Sequence, residues 1–241
     1  MLLLAHRGAS ADAPENTLEA FAEAVRQGAD GVELDARVCS SGEVVVCHDD
    51  RLDRLAGLPW EVRTTAWWKL QRADVGTPLG FGPARIPLLE EVLEALPAHF
   101  LVNIELKSGH LDDGGLAHRV AGLVTQRGLA ERVVISSFNP LCLFRVAAAA
   151  PSLRRGLLID PNKPWRPQAY VLSPLVSSHS VHPHHGACTP ERVAEWTGSG
   201  LRVAAWTVDE PARARELAEM GVSYLITNRP GPLREALRSS R

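Results

Sequence analysis

Two short segments of the chain place charges at alternate positions, Gly31-Val32-Glu33-Leu34-Asp35 and Asn103-Ile104-Glu105-Leu106-Lys107. Side chains alternate across a β-strand. Glu33 and Asp35 therefore share one face while Val32 and Leu34 share the other, and Glu105 and Lys107 are likewise opposed to Ile104 and Leu106. In a barrel wrapped by helices the apolar residues would face the helices and the charges the interior, where branched apolar residues are the rule. Two carboxylates about 4 Å apart repel by about 4 kcal/mol at an effective dielectric of 20, and three repel more. One divalent cation would neutralise them, and an all-oxygen donor set selects Mg²⁺, Ca²⁺ or Mn²⁺ over zinc. A buried ion-pair network built on Lys107 and Arg7 would do so without metal. The spacing leaves both open.

His6-Arg7-Gly8 follows a short apolar run, and His48 follows Val44-Val45-Val46-Cys47. Both histidines thus stand where a strand ends, which in a barrel is the catalytic rim. Imidazole titrates near neutral pH, so the two could divide acid and base roles. His182-Pro183-His184-His185 suggests zinc, but no partner Cys or His spacing accompanies it. Arginine, lysine and a cation suit phosphoryl oxygens better than a carbonyl. With no GxxxxGK[ST] or GxGxxG run, triphosphates and dinucleotides are not indicated. The set points to phosphoester cleavage.

The elements that must position these groups alternate. Strand-like runs at 2–5, 31–38, 43–47, 100–107, 133–138, 156–160, near Val181, 203–208 and 224–227 are interleaved with helical runs at about 17–28, 87–96, 116–127, 211–220 and 232–237. Roughly eight β–α units, the fifth and sixth weakly marked, predict a TIM-type (β/α)8 barrel occupying residues 1–241 as one domain. Residues 50–85 interrupt the rhythm as a small insertion after the second strand.

The chain has 241 residues, 26 Lys+Arg against 28 Asp+Glu and a formal net charge of −2. This balance lacks the basic excess that drives nucleic-acid binding. No run approaches the length of a membrane span, and the apolar Met1–Ala5 stretch is too short for a signal-peptide core. Four cysteines without CxxC spacing read as reduced thiols, so a cytoplasmic protein without stable membrane association is expected. Arg-rich helices such as 211–220 read as solvated faces and give no interface, leaving the oligomeric state open.

Ala5-His6-Arg7-Gly8-Ala9, Pro14-Glu15-Asn16-Thr17, Gly31-Val32-Glu33-Leu34-Asp35, Val46-Cys47-His48-Asp49, Asn103-Ile104-Glu105-Leu106-Lys107, Ala205-Trp206-Thr207-Val208 and Ile226-Thr227-Asn228-Arg229-Pro230 together resemble the glycerophosphodiester phosphodiesterase family. The resemblance runs in order over nearly the whole chain. It implies hydrolysis of glycerophosphodiesters to sn-glycerol 3-phosphate and an alcohol, with one divalent cation, Mg²⁺ or Ca²⁺. It further implies Glu33, Asp35 and Glu105 as metal ligands, His6 and His48 as the acid–base pair, Arg7 and Lys107 as phosphate-binding groups and Trp206 beside the glycerol. In the implied mechanism the glycerol 2-hydroxyl attacks phosphorus, and water then opens the cyclic phosphate. Cys39 and Ser41-Gly42 depart from the family's Thr and Asp-Gly turn. Trp60, Trp67 and Trp68 in the insertion are expected to pack rather than touch substrate. Phospholipase D-like cleavage of (lyso)phospholipids and a non-catalytic organophosphate-binding barrel are the rival readings.

Overall fold

The computed structural model describes residues 1–109, 111–160, 176 and 179–238. Lys163 and His110 lie outside the described residues.

Eight parallel strands close on themselves. They are β1 (Leu2–His6), β2 (Gly31–Val38), β4 (Leu101–Leu106), β5 (Val133–Ser137), β6 (Arg154–Ile159), β7 (Ser180–Pro183), β8 (Arg202–Ala205) and β9 (Tyr224–Thr227). Each pairs with the next, and β9 pairs back onto β1 through Leu2↔Tyr224 to Ala5↔Thr227. β3 (Val44–Val46) lies outside the ring, folded antiparallel onto the end of β2 with Val38 opposite Val44. Helices Leu18–Arg26, Leu89–Ala95, Leu116–Gln126, Pro140–Ala149, Pro190–Gly198, Pro211–Glu219 and Pro230–Arg238 are interleaved with the strands. None of the helices among the described residues is long and apolar enough to cross a membrane.

The strand alternation sorts the two environments as the sequence predicts. Val32, Leu34 and Ala36 of β2 and Val102, Ile104 and Leu106 of β4 pack in one buried cluster with helix residues Phe21, Leu93, Val120 and Val124. A second cluster joins Val181, Val203 and Leu225 to Val193 and Leu217. Glu33, Asp35, Asn103, Glu105, Ser136, Ser180, His182 and Thr227 are among the buried polar residues of the barrel strands.

The excursion has its own small core. Leu52, Leu55, Val62, Leu70, Val75 and Ile86 pack with Cys39, Val45 and Cys47, so the segment is seated on the β2–β3 hairpin. Trp60 and Trp67 join this cluster, as expected. Trp68 does not: it is 60% exposed and carries the Arg72 guanidinium 5.6 Å from its ring centroid. The helices Pro140–Ala149 and Pro190–Gly198 also go beyond the sequence reading. The first is apolar at nearly every position, which hides its helical period, although Asn139-Pro140 is a readable start signal: the Asn139 side chain accepts from Leu141 N.

Candidate active site

The site begins with a backbone turn. After β1 the chain enters the left-handed region at Arg7 (φ 57°) and again at Gly8 (φ 82°). A Cβ on Gly8 would lie 2.6 Å from backbone atoms of Ala20, so only glycine fits there. The turn folds Arg7 back over the barrel. Its Nε lies 3.2 Å from Asp35 Oδ2, its Nη1 donates to Glu15 Oε1 at 2.9 Å, and its backbone N–H donates to Glu33 O at 2.9 Å. Asn16 is the other non-glycine residue in the left-handed region (φ 59°), a conformation asparagine tolerates. Its Nδ2 donates to Asp35 Oδ2 at 2.7 Å, while its Oδ1 accepts from Asp35 N at 3.2 Å.

Carboxylate oxygens of Glu33, Asp35 and Glu105 lie within 4.8 Å of one another, and all three residues are buried. Lys107 Nζ stands 2.7 Å from Glu105 Oε1 and 3.1 Å from Asp35 Oδ1. Burial, then the neighbouring charges of Asp35 and Glu105, pushes the Glu33 carboxyl well above the usual range. Burial, with Asp35 beside it, also raises Glu105 despite Lys107. Burial opposes ionisation of Asp35 too, but Lys107, Arg7, His48 and Asn16 outweigh it and hold its carboxyl down. Three acids against Arg7 and Lys107 leave the cluster one negative charge in excess. A divalent cation would turn that into one positive charge, the complement of a singly charged phosphodiester. The donor set fits a hard oxygen-seeking ion, and buried Asp35 Oδ1 has no well-directed hydrogen bond.

Both histidines are oriented by a second residue. His6 Nδ1 is 2.7 Å from Asn228 Oδ1. Asp209 Oδ2 takes the Asn228 Nδ2 donor at 2.7 Å, so the amide presents its oxygen and His6 carries its proton on Nδ1. Nε2 is left free, 3.9 Å from Glu33 Oε2. Burial, then the Arg7 charge, lowers the His6 pKa to about 4. His48 Nδ1 lies 2.7 Å from Asp49 Oδ1, which likewise directs Nε2 outward. Burial and Lys107 lower its pKa against the pull of Asp35 and Asp49.

These groups share one cleft of about 440 Å³, lined by His6, Arg7, Glu33, His48, Glu105, Lys107 and Trp206 among others; Asp35 lies beneath, 1% exposed. Trp206 donates its indole N–H to His182 O at 2.8 Å and stands edge-on to Phe138 and His184. His182 and His184 thus back the tryptophan, and His182, His184 and His185 are not among the cleft-lining residues. The sequence reading gave no role to Asn16, Asp49, Asn228 or Asp209, nor to Arg37, Asp160 and Phe138, which also line the cleft. Asn16, Asp49 and Asn228 all stand inside motifs quoted above, Asn16 just before a helix start and Asp49 and Asn228 just after strands, and these polar positions beside element ends are the signal that singles them out.

A (β/α)8 barrel with this mouth defines the class as a phosphoric diester hydrolase. The chain belongs to the glycerophosphoryl diester phosphodiesterase family, whose model matches residues 6–232. It is 35% identical over 242 residues to a glycerophosphodiester phosphodiesterase of Caldanaerobacter subterraneus subsp. tengcongensis, covering 98% of each chain. Among solved structures it resembles an Oleispira antarctica phosphodiesterase in complex with the product sn-glycerol-3-phosphate, with TM-score 0.84, 26% identity and coverage of 99% of this chain and 97% of that one. The glycerophosphodiester phosphodiesterase of Thermotoga maritima matches with TM-score 0.80 and 28% identity, over 98% and 97% of the two chains.

Proposed function

We propose that this protein hydrolyses glycerophosphodiesters to sn-glycerol 3-phosphate and an alcohol, with residues 1–241 acting as one catalytic domain. The observation that carries the reading is the convergence of the Glu33–Asp35–Glu105 triad, two cations and two oriented imidazoles on one cleft. Glu33, Asp35 and Glu105 would hold one Mg²⁺ or Ca²⁺, and that ion when bound supplies charge stabilisation at the phosphoryl oxygens. Arg7 and Lys107 bind the phosphate, and Trp206, its ring fixed by His182 O, lines the glycerol side.

The Asp49 carboxylate on Nδ1 favours the imidazolium form of His48, which suits it to take the proton of the glycerol 2-hydroxyl as that oxygen attacks phosphorus. The phosphorus–alcohol bond breaks as His6 gives its Nε2 proton to the departing oxygen. A His6 pulled down to about 4 is a strong acid once protonated, and the incoming phosphate anion favours that proton. Water then opens the cyclic phosphate with the two histidines in exchanged roles. The four described cysteines are buried free thiols, which supports a reducing, cytoplasmic setting.

The test is release of sn-glycerol 3-phosphate from glycerophosphocholine by purified protein, with chelator and then with Mg²⁺ or Ca²⁺ restored. Metal-dependent release is expected. Turnover of lysophospholipid alone would move the reading to phospholipase D-like cleavage, and no turnover of either would leave a binding barrel.

A further inference from the structure

We infer that Arg54, supplied by the 50–85 excursion, is a positioning residue that holds His48 and Arg7 in one frame. Arg54 lies on the short helix Asp53–Ala56, away from the cleft lining. Its Nη1 and Nη2 donate to Glu15 Oε2 at 2.9 Å and Oε1 at 2.8 Å, a two-pronged fork, and its Nε donates to Asp49 Oδ2 at 2.7 Å. Each carboxylate uses another contact to hold a cleft residue: Asp49 Oδ1 on His48 Nδ1 and Glu15 Oε1 on Arg7 Nη1. One guanidinium therefore joins the two sides of the mouth, from His48 through Asp49, Arg54 and Glu15 to Arg7 and Asp35. Isolated exposed ion pairs contribute little, but a forked pair within a network is the exception. Arg54 is half exposed and reaches the reacting groups only through its two acids, so it acts by orientation and by charge.

The charge effect has a direction. The groups facing His48 are Lys107, Arg7, Asp35 and Asp49, with Arg37 donating to its carbonyl oxygen. Arg54 offsets the Asp49 charge, and without it Asp49 favours the His48 imidazolium more strongly. This inference rests on the proposed hydrolysis only for its kinetic readout.

The experiment compares wild type with Arg54→Met, Arg54→Lys and Arg63→Ala. Arg63 ties the same excursion to Asp112 at 2.8 Å and takes no part in the Asp49–Arg54–Glu15 chain, and so controls for looser seating of the segment. Turnover of glycerophosphocholine is measured with metal, and the His48 imidazole is titrated by NMR. In Arg54→Met, kcat/KM should fall about ten- to hundredfold, mainly in kcat, and the His48 midpoint should rise. Lysine should restore part of each, and Arg63→Ala should leave both at wild-type values. An unchanged Arg54→Met, or an equal loss in Arg63→Ala, overturns the inference. A wild type without turnover would instead overturn the proposed reaction, and the His48 titration would still decide the role of Arg54.

Discussion

Lys107 and Glu105 leave β4 two residues apart, and the Lys107 ammonium returns to within 2.7 Å of the Glu105 carboxylate while also standing 3.1 Å from Asp35. One cation thereby serves two of the three buried acids. Glu33 is the least compensated, and its carboxyl is pushed furthest up by burial and by its two acidic neighbours. The buried ion-pair network and a cation site are thus not exclusive: the first holds the triad together, and a bound cation would complete its charge.

Burial and two acidic neighbours favour the protonated form of Glu33, whereas metal-bound carboxylates are deprotonated, so a divalent cation held there would compete with a proton. Affinity for Mg²⁺ or Ca²⁺ should therefore rise with pH through the range in which Glu33 ionises, with about one proton released per ion bound. Calorimetry in two buffers of different ionisation enthalpy measures that proton directly. Binding without proton release would mean that Glu33 is already ionised or is not a ligand.

His6→Ala and His48→Ala should each lower turnover at least about a hundredfold, the scale of acid–base catalysis, with thermal melts close to wild type. Asn228→Ala should lower turnover by a smaller factor, since it frees the His6 ring without removing it. Turnover near wild type in either histidine variant would remove that residue from the acid–base pair.

Much of the site was readable because it lies on alternating strands. β2 occupies 31–38 and β9 occupies 224–227, the bounds that the sequence alone suggests, because apolar alternation and flanking turns mark both ends. What escaped depends on contacts that no local pattern encodes. His6 meets Asn228 across 222 residues, and Arg54 meets Glu15 across 39. The helix Pro140–Ala149 escaped because a nearly uniform apolar run carries no period. Trp68 departs from the packing expected of it because it follows Trp67 directly on a short helix, where adjacent residues point in different directions: Trp67 joins the excursion's core, partly buried, while Trp68 is exposed.

Gly31 opens β2 opposite Leu101 of β4. A Cβ there would lie 2.1 Å from the Leu101 carbonyl oxygen, which belongs to the partner strand and cannot swing away. Gly31→Ala should destabilise the fold by about 3 kcal/mol or more, as overpacking against backbone does. Gly57→Ala should cost only about 1 kcal/mol, because its φ is 64° but nothing lies within 4 Å. Urea unfolding of the two variants reads the difference, and equal losses would show that the barrel relaxes at this point.

His182 should make the barrel acid-sensitive. It is 2% exposed on β7, its Nε2 lies 2.8 Å from Ser180 Oγ and its buried Nδ1 has no hydrogen-bond partner. Burial, with a smaller contribution from His179, lowers its pKa from 6.5 to about 3. Between those values the unfolded chain carries a proton that the folded chain refuses. Stability is therefore full above about pH 6.5 and falls as pH drops towards 3, by about 1.4 kcal/mol per pH unit for one group. His6 and His179, both lowered to about 4, act with the same sign, so total acid sensitivity does not isolate His182. The comparison that does is urea unfolding of wild type and His182→Gln at pH 7, 6 and 5, since glutamine stays neutral throughout. The variant should lose less stability than wild type on acidification, by about one proton's slope. Parallel curves would mean that His182 accepts its proton inside the folded barrel.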